Sequence, residues 1–240
     1  MDARRLVTLL CAGSISLVAA SPAAAFPAGA EGYTYAGLQA TGYASGIQAT
    51  ITALRAPSLG SGHVAGWIGV GGPKQGPYGS DMWFQAGLAA HPGEETFLYA
   101  EIALPGRTPA LIRLEEHVPA GESRRVAVLE LRRRPGYWRI WIDGRAATAP
   151  ILLPGSSGRW APIATAESWS QGSGSRACND FAFRFERVSV LRPRGGTWTT
   201  FEPGYRFLDR HKVLRRVVGT PTASGRRSGG YSFVAASACP

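Results

Sequence analysis

The stretch DMWFQAGLAAHPGEETFLYAEIAL at residues 81–104 decides the fold, because two segments in it alternate between two kinds of side chain with a period of two. One face of the alternation is mostly aliphatic or small and comprises Phe84, Ala86, Leu88, Leu98, Ala100, Ile102 and Leu104. The other face is aromatic with one amide and one carboxylate, and comprises Trp83, Gln85, Gly87, Phe97, Tyr99 and Glu101. Successive side chains of a β-strand point to opposite faces of its sheet, so the stretch predicts two strands of one sheet.

Segments of the same kind recur along the whole chain at intervals of roughly ten residues. Glycine and proline, 31 and 17 of the 240 residues, separate them into short runs. The predicted strands are Tyr33–Leu38, Ile47–Leu54, His63–Val70, Asp81–Ala89, Thr96–Leu104, Ala110–Leu114, Arg125–Leu131, Tyr137–Asp143, Ile163–Trp169, Phe181–Leu191, Thr197–Phe201, Val213–Gly219 and Tyr231–Ala235. No segment sustains helical spacing, so the pattern predicts an all-β sandwich or barrel, with a hairpin at Asp143-Gly144.

Two further predicted strands, His63–Val70 and Ile163–Trp169, also carry large aromatic residues on one face. Trp67 lies on that face in the first strand, and Glu167 shares a face with Trp169 in the second. The exposed face of an antiparallel sheet normally carries mixed small polar and charged residues. Large aromatic side chains beside isolated carboxylates instead indicate a groove for an extended polymer. The alternative is that both faces are covered and the aromatic residues are core, although Glu and Gln are rarely buried unpaired.

The first 25 residues are expected to be a signal peptide. A charged start, an apolar run over residues 6–20 and the A-x-A pattern ending at Ala25 predict cleavage there, with Ala30 as the alternative site. The apolar run is about fifteen residues long, whereas a membrane-spanning helix needs about twenty. We therefore expect a secreted protein with no membrane span, in which residues 26–240 form a single domain.

The chain is strongly basic, with a formal net charge of +10. Such an excess favours contact with anionic partners such as cell-surface polymers, or serves solubility. The arginines are dispersed among turns and no nucleic-acid-binding module accompanies them, so nucleic-acid binding is not expected. The four histidines are far apart in the sequence and no group has zinc-ligand spacing, so no metal or other cofactor is expected.

Two cysteines, Cys178 and Cys239, remain after removal of the signal peptide, which contains Cys11. An even count in an exported chain predicts one disulfide, which would close a loop of about sixty residues and stabilise the fold by about 4 kcal/mol. We expect thiol labelling of the unreduced, unfolded mature protein to find no free thiol. Two labelled thiols would show that the bond does not form.

Five segments of this sequence resemble, in the same order, motifs of the glutamic peptidases (eqolisins), a family of secreted acid endopeptidases. The segment YAGLQATGYASGIQATITAL resembles the family's opening strands, HVAGWIGVGG its W-x-G-x-D-G motif, WFQAG its L-Q-T-G motif, LYAEI its A-W-Y-E motif and ATAESW its A-E-W motif. They lie at residues 35–54, 63–72, 83–87, 98–102 and 164–169. The resemblance implies a concanavalin A-like jelly roll, which is an antiparallel β-sandwich, and a glutamic-peptidase-like endopeptidase activity.

The resemblance also implies that Gln85 and Glu167 form the catalytic dyad. Strand parity independently places both on the aromatic face. An ionised Glu167 would take a proton from the water that attacks the scissile carbonyl and return it to the leaving nitrogen. The Gln85 amide would donate a hydrogen bond to the oxyanion. The residues expected to bind the polypeptide substrate in the cleft are Trp67, Trp83, Tyr99, Glu101 and Trp169.

Two positions depart from the family pattern, since Gly71 stands where the motif has Asp and Ala89 where a second acidic residue is expected. Without these carboxylates, activity is expected to extend nearer to neutral pH than is usual in the family. The alternative to an enzyme is a non-catalytic module that binds a glycan or peptide at the cell surface. A third option is a glycosidase using Glu101 and Glu167, which requires carboxyl groups roughly 5–9.5 Å apart. Only the peptidase has a catalytic use for Gln85.

Overall fold

The computed structural model describes residues 33–170, 179–193, 196–208, 217–221 and 231–237. The predicted signal peptide and the predicted disulfide partners Cys178 and Cys239 lie outside these ranges. The strands are β1 Tyr33–Ala40, β2 Gly46–Ala53, β3 Ser58–Leu59, β4 His63–Gly72, β5 Met82–Ala90, β6 Phe97–Ala103, β7 Ala110–Glu115, β8 Ser123–Leu131, β9 Arg134–Ile142, β10 Arg145–Ala146, β11 Ile151–Leu152, β12 Ile163–Trp169, β13 Asn179–Leu191, β14 Trp198–Thr200, β15 Pro203–Leu208, β16 Val217–Pro221 and β17 Tyr231–Ser237. In these ranges the only helical element is a 3₁₀ turn at Pro77–Gly79, and no helix could span a membrane.

The strands form two antiparallel sheets. Within the described ranges, sheet I has seven strands in the order β15-β1-β12-β4-β5-β6-β7. Sheet II has the order β10-β9-β8-β2-β13-β17-β16, and the short strands β11, β14 and β3 pair with β9 or β13 at its margins. The protein is therefore an all-β sandwich, as the alternating pattern and the family resemblance predicted.

The main core lies between the two sheets and consists of the apolar face of each strand. Its largest fully buried side chains include Ile47, Ile51, Ile68, Phe84, Trp138, Phe181, Phe183 and Phe185. At Gly66 the two sheets approach so closely that an added Cβ would lie 2.5 Å from Cγ of Phe183. Only glycine allows β4 to pack against β13 at this point. Because the core takes up one face of sheet I, the other face is left to the candidate site.

The predicted hairpin after β9 is confirmed. Ile142 pairs with Arg145 across the turn, and the two turn residues, Asp143 and Gly144, have φ angles of 50° and 84°. Positive φ at both positions is what a two-residue type I′ turn requires.

Sequence reasoning did not predict β15, Pro203–Leu208, because a Pro-Gly pair at its start is a local turn signal. The strand forms because it pairs with β1, where Gln39 lies opposite Tyr205. The predicted strand Val213–Gly219 falls partly outside the described residues and overlaps with β16. Tertiary pairing therefore outweighs local propensity at this edge of sheet I.

Candidate active site

Strand register brings all three candidate polar residues to the outer face of sheet I. Gln85 on β5 lies directly opposite Glu101 on β6. Glu167 lies on β12, which is separated from β5 by β4. It pairs with Ala65, which pairs with Ala89, four residues along β5 from Gln85. In a flat sheet this register would separate the Cα atoms of Gln85 and Glu167 by roughly 16 Å, so their side chains must extend toward each other to share a water.

Each side chain contacts an aromatic residue of the row that lies between them in the register. Trp67 and Tyr99 belong to this row, with Gly87 between them in the register. Trp67 Nε1 donates a hydrogen bond to Glu167 Oε2 at 2.9 Å, and Gln85 Nε2 donates to the Tyr99 hydroxyl at 3.3 Å. Because Gly87 has no side chain, nothing on β5 separates the two aromatic residues that the carboxylate and the amide contact.

A second contact of Glu167 is His63, which sequence reasoning considered only as a metal ligand. Its Nε2 lies 3.4 Å from Glu167 Oε1, and both side chains are buried. The imidazole packs against Trp169, with ring centroids 5.6 Å apart, and meets Tyr33 edge-on at 5.7 Å. The shared parity of His63 and Trp67 in the segment HVAGW is the sequence signal that could have found this contact.

Glu101 is a buried carboxyl group whose two oxygens differ in their hydrogen bonding. Trp83 Nε1 donates to Oε1 at 2.8 Å, whereas Oε2 has no hydrogen-bond partner among the described residues. Burial, and next the negative charge of Glu167, raise the pKa of Glu101 to about 8, although the Trp83 hydrogen bond lowers it. Below that pH Glu101 is mainly a neutral carboxylic acid beside Gln85.

The aromatic residues of this face are more deeply buried than an open groove would require. Tyr99 and Trp67 belong to a second apolar cluster whose other buried members are Ala65, Ala89, Phe97 and Ile163. Trp83 and Trp169 are only partly buried. Of the four aromatic residues expected to bind substrate, these two are therefore accessible to a ligand. Trp67 and Tyr99 are buried instead, and they form hydrogen bonds with Glu167 and Gln85.

Three tyrosines around the carboxylates are neutral hydroxyl groups. Burial, reinforced by the charges of Glu167 and Glu101, raises the pKa of Tyr33, Tyr35 and Tyr99 well above the usual value. Among the described residues, no group of three His, Cys, Asp or Glu side chains could hold a metal ion. The polar groups that the described residues place on this face are carboxyl, amide, imidazole and phenol.

The two positions that depart from the family pattern hold no carboxylate for structural reasons. Gly71 has a φ of 82°, and a Cβ there would lie 2.3 Å from the Met82 carbonyl oxygen. Aspartate would therefore be strained at this position. Ala89 is fully buried in the second apolar cluster, beside Phe97. A charged residue there would lose its hydration on burial, which is costly.

The fold is similar to that of solved glutamic peptidases. A crystal structure of scytalido-glutamic peptidase with a peptide-based transition state analog matches with a TM-score of 0.54 and 14% identity, over 85% of this chain and 98% of that one. A second structure of that peptidase, with a transition state analog inhibitor, matches with a TM-score of 0.54 and 13% identity over the same shares. SCP-B, described as an eqolisin in a complex with the tripeptide Ala-Ile-His, matches with a TM-score of 0.49 and 13% identity, over 85% of this chain and 97% of that one.

No family model and no curated protein matches the sequence. The structural similarity to scytalido-glutamic peptidase nevertheless covers most of both chains. This chain therefore has an eqolisin-like, concanavalin A-like sandwich fold.

Proposed function

We propose that this chain is an exported, glutamic-peptidase-like endopeptidase that hydrolyses peptide bonds with Gln85 and Glu167. The arrangement around Glu167 is the observation that carries the proposal. Its two carboxylate oxygens lie next to nitrogen atoms of Trp67 and His63, on the same sheet face as the Gln85 amide. A buried carboxylate held in this way, on an eqolisin-like fold, is suited to accept a proton from water.

In the proposed mechanism, Glu167 takes a proton from the attacking water and returns it to the leaving nitrogen, so no covalent intermediate forms. The Gln85 amide donates a hydrogen bond to the oxyanion as the carbonyl carbon becomes tetrahedral. Glu101 lies directly opposite Gln85 in the register. Because Glu101 is mainly neutral below pH 8, it adds no second negative charge beside the developing oxyanion.

The proposed substrate is an extended polypeptide. The partly exposed rings of Trp83 and Trp169 lie on the same sheet face and would contact its side chains. Export through the predicted signal peptide is part of the proposal, and the basic surface would favour anionic polymers at the cell surface.

The direct test is digestion of a denatured protein by purified residues 26–240. We expect new peptides, detected by mass spectrometry, across acidic pH and closer to neutrality than is usual for glutamic peptidases, because neither Gly71 nor Ala89 supplies a carboxylate. The paired control is the Glu167→Gln variant, purified in the same way as the wild-type protein. Cleavage by the wild type but not by this variant excludes a contaminating protease. Absence of cleavage from strongly acidic to neutral pH would contradict the proposal.

A cluster of aromatic rings favours a second candidate, a module that binds a glycan or peptide without cleaving it. Tyr33 and Tyr35 stack with ring centroids 5.9 Å apart and an interplanar angle of 8°, and Trp169 lies 6.1 Å from Tyr33. All three side chains are partly exposed. A protein that shows no proteolysis, but binds a glycan and loses that binding in Trp169→Ala, would establish this candidate instead.

A further inference from the structure

We propose that His63 is a positioning residue for Glu167, donating its Nε2–H to Oε1 while Trp67 donates to Oε2, so that the carboxylate is held ready to accept a proton. This inference rests on the proposed peptidase function for its consequence in catalysis, but the hydrogen bond itself can be tested without turnover. His63 acts through Glu167 and does not contact substrate.

The register of β4 and β12 explains why the two donors meet one carboxylate. Glu167 lies opposite Ala65, and His63 and Trp67 are the residues two positions before and after Ala65 on the same face of β4. One N–H donor therefore lies on each side of the carboxylate along the neighbouring strand. The methyl group of Ala65 is too small to separate them.

The surroundings of His63 restrict its ring to one orientation. The imidazole is 1% exposed and is enclosed by Tyr33, Trp169 and His91, with ring centroids 5.7, 5.6 and 6.2 Å away. His91 itself stacks on Phe97 at 5.4 Å. A ring packed on these sides cannot reorient freely, so its nitrogen stays directed at the carboxylate.

The burial of Glu167 makes these donors necessary. The residue is 4% exposed, and a buried carboxylate without hydrogen-bond partners is costly. Two fixed donors also select one rotamer, which removes reorganisation before proton transfer. In the reaction His63 keeps its own proton, and the proton from water passes to Glu167 and then to the leaving nitrogen.

A pair of variants separates hydrogen bonding from packing. His63→Leu removes the donor at similar volume, and His63→Gln restores an N–H donor. We expect kcat of the Leu variant to fall about 10²-fold with KM changed less than about twofold, and the Gln variant to recover to within about tenfold of wild type. His117→Gln, an exposed histidine that pairs with Glu95, is the matched control.

Equal losses of kcat in folded His63→Leu and His63→Gln, or a loss that falls on KM, would overturn the positioning role. Circular dichroism and thermal unfolding establish that the variants compared are folded.

Nuclear magnetic resonance of the ¹⁵N-labelled protein tests the contact independently of activity. We expect a slowly exchanging Nε2–H resonance from His63 in wild type, and its loss through exchange with water in Glu167→Ala. Absence of this resonance in wild type, or its persistence in Glu167→Ala, would reject the contact. A protein that shows the resonance but cleaves no peptide bond would retain the His63–Glu167 pair and reject the peptidase function.

Discussion

The Glu167→Gln variant is expected to lose about 10³–10⁴-fold in kcat while keeping the wild-type fold. Glutamine is nearly isosteric with glutamate, and its amide oxygen can still accept a hydrogen bond from Trp67 or His63. It cannot take a proton from water, so the contribution of the general base is lost. The measurement is kcat on a denatured protein substrate, together with thermal unfolding of the variant. The unfolding curve should show that the variant is still folded.

The companion variant Gln85→Ala is expected to lose about 10²–10³-fold, the usual cost of removing one donor to an oxyanion. Gln48→Ala, on the opposite sheet and remote from Glu167, is the matched control and should keep wild-type activity. If Gln85→Ala remains within twofold of wild type while Glu167→Gln is inactive, the amide is not the oxyanion donor, and a mechanism with carboxyl groups alone must replace the dyad.

The Glu101→Gln variant is expected to be more stable than wild type at pH 7, by about 3 kcal/mol. Burial raises the folded-state pKa of Glu101 from 4.5 to about 8, so the folded protein holds a proton that the unfolded chain releases. The free energy of unfolding of wild type therefore falls as pH rises from about 4.5 to 8 and then levels off. Glutamine cannot ionise in either state, so this loss disappears.

The measurement is urea-induced unfolding of both proteins at pH 4 and pH 7. At pH 4 Glu101 is mostly protonated in both states, so this ionisation contributes little to the difference between the proteins there. Glu116→Gln, which removes the negative charge of an exposed side chain, is the matched control. Its difference from wild type in free energy of unfolding should be the same at pH 4 and pH 7. If the free energies of unfolding of Glu101→Gln and wild type differ by the same amount at the two pH values, Glu101 is not held neutral in the folded protein.

The faces of the site strands could be read from the sequence because strand parity is a local property of the backbone. The alternation in residues 81–104 assigned Gln85 and Glu101 to one face of one sheet, and in the structure they are direct cross-strand neighbours. The family motifs added Glu167 to the same set, and the structure places it on β12, with β4 between that strand and β5.

The depth of burial could not be read in the same way. An aromatic face with isolated polar groups suggested a groove, but Tyr99 is fully buried and Glu101 is 3% exposed. The raised pKa of Glu101 follows from that burial, and burial depends on every side chain packed around the group. No local pattern contains this information.

By itself, the sequence determined most of the longer strands, their faces and the turn at Asp143-Gly144, since each of these depends on neighbouring residues and on the allowed backbone angles. Only the tertiary structure decided which strands pair and in which register. That register brings His63 next to Glu167, 104 residues further along the chain, and pairs β15 with β1 in spite of its Pro-Gly start. Contacts between distant segments form because they bury shared surface and complete hydrogen bonds. This gain in free energy is realised only when the strands lie side by side, so no local stretch of sequence contains it.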